Sequence, residues 1–551
     1  MQKKRILLVS AMRDSDISNW VNSQMCNPGS RTAFTTPLSL GTIAALTPDR
    51  YEVVIWDEAV RGPITEETGP EGDFDLVGIT AYSTQLPRAR NIARIFRARG
   101  ILVVAGGAGV TVEPAVCRDH FDVLFIGEAE ETWPNFLADW ESRSYARQYS
   151  PSHLPDMRES PKPRWGSSAS TLAASYKYGA VQVNRGCPHE CEFCAMWSQF
   201  GRKVRSKRAS QVVEEVAALA ALGFRNILFC TDNFYGSPRD ARELVQQLLA
   251  YNRSSDPPLR FFTELSIRVS QDDEILRNMA DTGFTGVLVG VESSSVESLR
   301  ETRKRQNLRG DLAEQCRKIA SYGIVVQASM IVGFDNDRAD VFDQHFRFLQ
   351  DACIPLPRLH VLTALPGTDL RRRLVSEGRV VETDTALTLP PGISDYGFSS
   401  NILFKHMRRS ELYAGLIRML DLIWAWENFE TRIVRFIDNI KRVPQRKPNP
   451  SSDRVCALMR KSLLRIPGAD LAAIGRILEY ADKAAPELMI EIVSSLVMMC
   501  WENGKAPALK QAIRGRIEIE RNMEERNGYV LCTMPGDSIV PFAAPGAVGL
   551  P

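Results

Sequence analysis

The sequence predicts an α/β protein in three parts: an amino-terminal doubly wound parallel sheet, a partial (βα)6 barrel and a carboxyl-terminal helical domain. Three observations carry that prediction. Two successive series of short apolar runs alternate with helical stretches, a proline-rich connector separates the series, and the strand pattern disappears past about Thr383. Short buried runs between helices form parallel sheets, because each helix carries the chain back to start the next strand in the same direction. Right-handed crossovers then place helices on both faces. The divisions read as a sheet domain over 1–145, a linker over 146–175, the barrel over 176–382, helices over 383–536 and a disordered Pro/Gly/Ala-rich tail over 537–551.

In the first series the strands are Ile6 to Val9, Tyr51 to Trp56, Leu76 to Thr80, Ile101 to Ala105 and Asp122 to Ile126. Ligands on such sheets bind at the carboxyl ends of the strands. There the chain carries Asp57-Glu58, Thr80 to Thr84 with Ser83, Gly106-Gly107-Ala108-Gly109 and Gly127-Glu128-Ala129-Glu130. Glycine after a strand lets a ligand or a neighbouring backbone come close, and it serves a plain turn equally well.

After the connector with Pro151, Pro155, Pro161 and Pro163, six further strands follow: Ala180 to Val183, Asn226 to Cys230, Phe261 to Leu265, Gly286 to Gly290, Val325 to Val332 and Leu359 to Ala364. Val212, Val216, Leu219 and Leu222 show the three-to-four spacing of a buried helical stripe between the first two. Active sites of barrels lie at the strand carboxyl ends. Polar residues stand there: Thr231-Asp232-Asn233-Phe234 after the second strand, Glu264 within the third and Gly290-Val291-Glu292-Ser293 at the fourth. A carboxylate in an apolar strand is costly without a partner, which marks Glu264 as a candidate catalytic or ligand-contacting group. Helix capping is the competing role for Asp232, Asn233 and Glu292.

The chemistry is concentrated in Gly186-Cys187-Pro188-His189-Glu190-Cys191-Glu192-Phe193-Cys194, directly after the first barrel strand. A cubane iron-sulfur cluster takes four thiolates, one per iron. This loop supplies three, and the next cysteine, Cys230, lies in a strand, so one iron stays open to an exogenous ligand. A structural zinc site with His189 as fourth ligand is the competing reading. The other cysteines, Cys26, Cys117, Cys230, Cys316, Cys353, Cys456, Cys500 and Cys532, are dispersed among apolar positions and read as reduced thiols.

Composition narrows the class. Lys+Arg 68 against Asp+Glu 66 leaves a formal charge of +2, so no global field recruits nucleic acid or an anionic membrane. The first residues lead directly into a strand that is too short for a secretory segment, and Leu488 to Trp501 is apolar but too short to span a bilayer, so a cytoplasmic protein is expected.

The cysteine spacing, with Phe193 before the last cysteine, resembles the signature of radical S-adenosylmethionine (SAM) enzymes. The strand, Gly-Gly and Ile-Gly-Glu order of the first domain resembles the cobalamin-binding domain that precedes many of these barrels. Lys304-Arg305-Gln306-Asn307, Val332-Gly333-Phe334-Asp335, Gly201 to Lys207 and Ala364 to Thr368 extend the likeness, over about Arg5 to Arg442, to the branch that includes hopanoid methylases. The resemblance implies a 4Fe-4S cluster on Cys187, Cys191 and Cys194. It implies SAM seated by Phe193, Asp232, Asn233, Glu264 and Glu292, and cobalamin at Ser83, Thr84, Gly106, Gly107, Gly127 and Glu128. The Asp-x-His-x-x-Gly motif that supplies a cobalt-ligating histidine elsewhere is absent, its place taken by Ala11-Met12-Arg13-Asp14-Ser15-Asp16, so no protein histidine is expected on cobalt.

The expected function is cobalamin-dependent methylation of an unactivated carbon in a lipid, a peptide or a small natural-product precursor. A flavodoxin- or ferredoxin-like donor would supply electrons. Two alternatives stand beside it: a radical SAM enzyme of cyclisation or other carbon-carbon chemistry, with or without cobalamin, and an iron-sulfur carrier or sensor without turnover. In the carboxyl-terminal region Leu412, Leu416, Leu420 and Trp424 repeat every four residues behind Ser410 as the expected cap, and Leu488 to Trp501 reads as a core helix.

Overall fold

A computed structural model describes residues 3–13, 33–382, 397–446 and 468–532. The expected tail over 537–551, Cys26 and Cys456 lie outside the described residues. The chain forms two compact units, one built on Met1–Pro188 and Ala195–Cys230, the other on His189–Cys194 and Thr231–Pro535.

The first unit contains β1 (Lys4–Ser10), β2 (Ala33–Thr35), β3 (Tyr51–Asp57), β4 (Leu76–Thr80), β5 (Leu102–Gly106), β6 (Val123–Phe125) and β7 (Gln148–Tyr149). All but β2 form one parallel sheet in the order β3-β1-β4-β5-β6-β7. Ile6 to Val9 are buried throughout, as a strand covered by helices on both faces requires. The helix Leu86–Arg97 buries Ala89, Ile92, Ala93 and Phe96 at helical spacing into the core with Val77, Val103 and Phe121. The strand order reverses at β1, with β3 on one side and β4 on the other, which opens a crevice beyond Ser10 and Thr80. The connector read as a linker supplies the sixth strand, β7, whose two residues are too few to show periodicity.

The same unit carries the first two barrel strands, β8 (Tyr176–Gln182) and β11 (Asn226–Cys230), paired in parallel, with β2 along the other edge of β8. Between them β9 (Asn184–Arg185) and β10 (Arg205–Ser206) form an antiparallel pair. In the second unit β12 (Arg260–Leu265), β13 (Phe284–Glu292), β14 (Val325–Val332) and β15 (Leu356–Val361) pair in parallel in chain order. These six parallel strands with their intervening helices are the six βα units of a partial barrel. The last strand begins three residues before the expected Leu359 and ends at Val361, so Leu362 to Ala364 follow the strand.

Helices Arg409–Ile423, Trp426–Asp438, Leu471–Ala484 and Met489–Arg526 make up the carboxyl-terminal part. Ser410 is not the cap. Glu411 accepts the backbone N–H of Arg408 one residue before the helix, while Ser410 donates its own N–H and hydroxyl to Glu524 of the last helix. That tie and the fully buried Arg409–Glu520 pair, 2.7 Å, lock the two helices together. Leu488 to Trp501 is core as expected, since Ile492, Val493, Leu496, Met499 and Cys500 are buried. Among the described residues no helix is long and apolar enough to cross a membrane.

At Gly415 an added Cβ would lie 2.0 Å from the buried Phe342 ring, so Gly415→Ala should destabilise by roughly 1–3 kcal/mol in a denaturant titration. Gly475→Ala, in open space on the helix Leu471–Ala484, should leave stability unchanged or raise it by up to about 1 kcal/mol.

Candidate active site

The cysteine loop is shaped by backbone constraints on both sides. In the first unit Gly186 has φ +90° and a Cβ there would lie 2.3 Å from the carbonyl oxygen of Lys203, so no side chain fits; Cys187 donates its N–H to Gly201, 3.2 Å. In the second unit Cys194 donates its N–H to the Cys191 carbonyl, 3.1 Å, in a tight turn. Glu192 between them donates to Thr302 and accepts from Leu370, both at 3.0 Å, and its carboxylate takes Arg373 at 2.7 and 3.2 Å. Arg373 also holds Asp335, which Arg379 grips from the other side. A cleft of about 370 Å³ lies over this knot, lined by Glu192, Glu301, Asp335, Arg373, Lys405 and His406. Burial and the charge of Asp335 push Glu301 up to about 7 even though the Asp335 N–H bonds to it.

Lys304 is the central charge behind the loop. Its ammonium donates to Glu292 at 2.6 Å and sits 5.8 Å over the ring of Phe193. Burial alone would lower its pKa, but Glu292, then Cys191 and Cys194, raise it, so Lys304 stays protonated. Gln306 donates to the Cys191 sulfur at 3.6 Å, and Asn307 donates to the carbonyls of Gly290 and Val291. Glu292 reaches Lys304 only because β13 is irregular at its end and Glu292 adopts φ +65°, a conformation few non-glycine residues take. At Gly290 a Cβ would meet the Glu292 carboxylate and the Lys304 ammonium, so a side chain there would displace the pair.

Among the described residues no three His, Cys, Asp or Glu side chains are gathered tightly enough to hold an ion. The fit to a cluster is therefore tested by the donors around Cys191 and Cys194. A buried cation and an amide N–H directed at sulfur suit anionic thiolates, and these residues fit. Burial, then the charges of Lys304, Arg268 and Arg309, lower His189 to about 4, so its imidazole is neutral at pH 7.

The sheet β12–β15 has one accessible face. Along the strands Phe262, Glu264, Leu288, Gly290, Gln327, Ser329, Ile331, Arg358 and His360 are reachable, whereas Thr263, Val287, Val289, Ala328, Met330 and Leu359 between them are buried. Register sets Glu264, Leu288 and Gln327 in one row and Gly290, Ser329 and Arg358 in the next. Glu264 is crowded by protein yet open to solvent, the condition of a group lining a recess. Burial and then the neighbouring Asp232 raise its pKa. Asn233 is committed to structure: its side-chain oxygen accepts the N–H groups of Tyr235 and Ser266, tying the turn after β11 to the end of β12. Ser329 reaches the Glu292 carboxylate at 3.3 Å.

At the carboxyl edge of the first sheet, Gly107 has φ +97° and its Cβ would lie 2.7 Å from the Thr80 hydroxyl, while a Cβ on Gly109 would meet the backbone at Tyr82 and Ser83 at 2.5 Å. Gly106 faces Phe125, and Gly127, φ +83°, donates its N–H to Thr111. These close approaches make a smooth edge beside the reachable Ser83 and Thr84. Glu128 does not face outward: its carboxylate is 1% exposed and binds Arg185 and Arg205, with Glu130 on Arg185 at 2.6 Å. Sequence reasoning missed those arginines. Gly201 to Lys207 stood only as a phrase of the resemblance, yet Arg205 and Lys207 are ion-paired and nearly buried, Lys207 against Glu215. Lys304 and Gln306 stood within a phrase without an assigned role; a charged residue twelve positions past a strand-end Glu was the available signal.

Lys304→Met leaves the Glu292 carboxylate buried without its cation and should cost about 3–5 kcal/mol in a denaturant titration, while the double variant Lys304→Met/Glu292→Gln should recover most of that loss.

Comparison with known proteins agrees with this geometry. Residues 181–349 match the model of the radical SAM superfamily and residues 29–137 that of the B12 binding domain. An uncharacterized methyltransferase of Synechocystis is 32% identical over 66% of this chain and 67% of its own length. The hopanoid C-2 methylase of Rhodopseudomonas palustris is 30% identical over 64% of this chain and 66% of its own length. The chain thus spans about two thirds of these curated relatives. Among solved structures the fold resembles the radical S-adenosylmethionine methyltransferase TsrM of Kitasatospora setae with cobalamin and a [4Fe-4S] cluster bound, at 16% identity, TM-score 0.58, over 88% of this chain and 99% of that one. It also resembles the cobalamin-dependent S-adenosylmethionine radical enzyme OxsB, at 11% identity, TM-score 0.57, over 95% and 84%. The chain belongs to the radical SAM superfamily, in the cobalamin-dependent methyltransferase branch that includes the hopanoid C-methylases.

Proposed function

We propose that this enzyme methylates an unactivated carbon of a lipid, peptide or natural-product precursor, using a 4Fe-4S cluster, SAM and cobalamin. The observation that carries the reading is the second unit's accessible face. Lys304–Glu292 lies buried in electrostatic reach of Cys191 and Cys194, and Glu264 with Asp232 stands on the accessible face of the same sheet, where a substrate carbon can be held. When bound, the cluster supplies reductive cleavage of SAM to a 5'-deoxyadenosyl radical, and cobalamin supplies methyl transfer. Cys187, Cys191 and Cys194 hold the cluster. Asp232, Glu264 and Glu292 offer carboxylates to SAM, Phe193 packs beside it and Asn233 orients the Asp232 turn. Ser83, Thr84, Gly106, Gly107 and Gly127 accept cobalamin at the sheet edge, and Glu128 anchors that edge through Arg185 and Arg205. An external flavodoxin- or ferredoxin-like protein in the cytoplasm supplies the electron.

Glu264 favours a second reading. A carboxylate whose pKa is raised by burial and a neighbouring acid is suited to take a proton from the substrate, and methylation of an sp2 carbon would then proceed without the radical.

Anaerobically reconstituted protein given SAM and reductant, with and without cobalamin, should yield 5'-deoxyadenosine together with cobalamin-dependent S-adenosylhomocysteine. 5'-Deoxyadenosine alone would remove methylation and leave cyclisation or related chemistry; neither product from an intact cluster would leave an electron carrier. Cys191→Ala should lose the cluster's visible absorbance, and a variant that keeps the full cluster would sink the ligand assignment.

A further inference from the structure

The accessible face does not end at Glu292. In the same row as Gly290 and Ser329 stands Arg358 of β15, and adjacent strands lie about 4.8 Å apart, so Arg358 is about 10 Å from Gly290 across the sheet. Beyond it the face is covered by the last helix. Gln327 donates to the sulfur of Met498 at 4.0 Å, and Arg358 donates to Gln327 at 3.3 Å while approaching Glu502 at 4.0 Å. One turn on from Met498 and Glu502 come Trp501 and Lys505, with the Lys505 ammonium 4.7 Å over the indole.

Among the described residues the charges at this end of the face do not balance. Among them Glu502 is the acid beside Arg358 and Lys505, and the contact between Arg358 and Glu502 is long. Glu292, in electrostatic reach of His360, is buried and paired with Lys304. His360, next to Arg358 on β15, has its pKa lowered, first by burial and then by Arg358, and adds no anion. Lys505 is pushed down by burial, while Glu502 raises it and Arg358 lowers it. Apolar groups adjoin the pair: Trp501 is 58% exposed, and Leu288, one row before, and Ile331, one row after, flank the row of Gly290, Ser329 and Arg358 on the accessible face.

We infer that Arg358 and Lys505 form an anion anchor for the substrate, which is an amphipathic molecule carrying a carboxylate or phosphate at one end and an apolar body laid along Leu288 and Ile331 toward Glu292. The inference rests on the proposed function for the identity of the recess and adds to it the chemical class of the substrate. The fork of Arg358 suits either anion in bidentate fashion, and Lys505 contributes a point charge with an aromatic floor. Anchoring at a distance from the reacting carbon is a means of orientation, because binding energy at the far end fixes which carbon comes near the cysteine loop.

The test is calorimetry on the anaerobic holoenzyme with four probes of one chain length: decanoate, decyl phosphate, decanol and decylamine. At least one anion should bind about tenfold or more tightly than decanol and decylamine, and which one does so identifies the head group. Arg358→Gln and Lys505→Gln should each weaken that anion about tenfold, Arg358→Lys should retain part of the affinity, and Arg408→Gln, on an exposed side chain, should change nothing. Melting temperature and cluster absorbance verify that each variant is folded and loaded. Equal binding of anions and decanol, no anion binding, or unchanged affinity in both Gln variants would overturn the inference. Because the measurement needs no turnover, anion binding can fail while 5'-deoxyadenosine and S-adenosylhomocysteine still form, and the reverse, so the two readings fail separately.

Discussion

The buried Lys304–Glu292 pair is the interaction on which the second unit's site depends. A lone ammonium or carboxylate at that depth would cost several kcal/mol; together, with Ser329 on the other carboxylate oxygen, they are satisfied. The pair dictates its surroundings. Gly290 must lack a side chain to make room for it, Glu292 must take a left-handed backbone to reach it, and Asn307 holds the carbonyls that this distortion leaves at the end of β13. The result is a fixed positive charge facing two cysteines, where anionic thiolates need one.

The first unit uses the same device at another place. Glu128 and Glu130 follow the glycine at the end of β6, and both are held by Arg185, which precedes Gly186 and Cys187 in the chain. The carboxyl edge of the first sheet and the segment leading into the cysteine loop are therefore joined by buried ion pairs within one unit, with Arg205 of β10 as the second cation. Charge that composition shows only as a nearly neutral total is sorted locally: two neighbouring acids at Asp232 and Glu264, a matched pair at Lys304, and Arg358 and Lys505 around Glu502.

Much of the fold was legible because parallel strands are buried on both faces and leave unbroken apolar runs. Leu76–Thr80, Asn226–Cys230 and Val325–Val332 coincide with their runs residue for residue. β2 and β7 were not legible, since strands of three and two residues owe their existence to a neighbour's edge rather than to a pattern of their own. The cap at Ser410 was misplaced for a related reason: its hydroxyl was claimed by Glu524, a partner more than a hundred residues away. Asn233 stood in the right turn, but its side chain went to backbone N–H groups, a choice that depends on where β12 ends.

The sequence by itself determined the cysteine triad, its place after the first barrel strand and the order of the βα units, because spacing and burial periodicity are local properties of a chain. Tertiary structure alone decided which charges meet. Lys304 with Glu292, Arg185 with Glu128 and Arg358 with Glu502 come from separate elements whose register and crossing bring them within reach, and a Coulombic partner is set by distance in space, which no local pattern encodes.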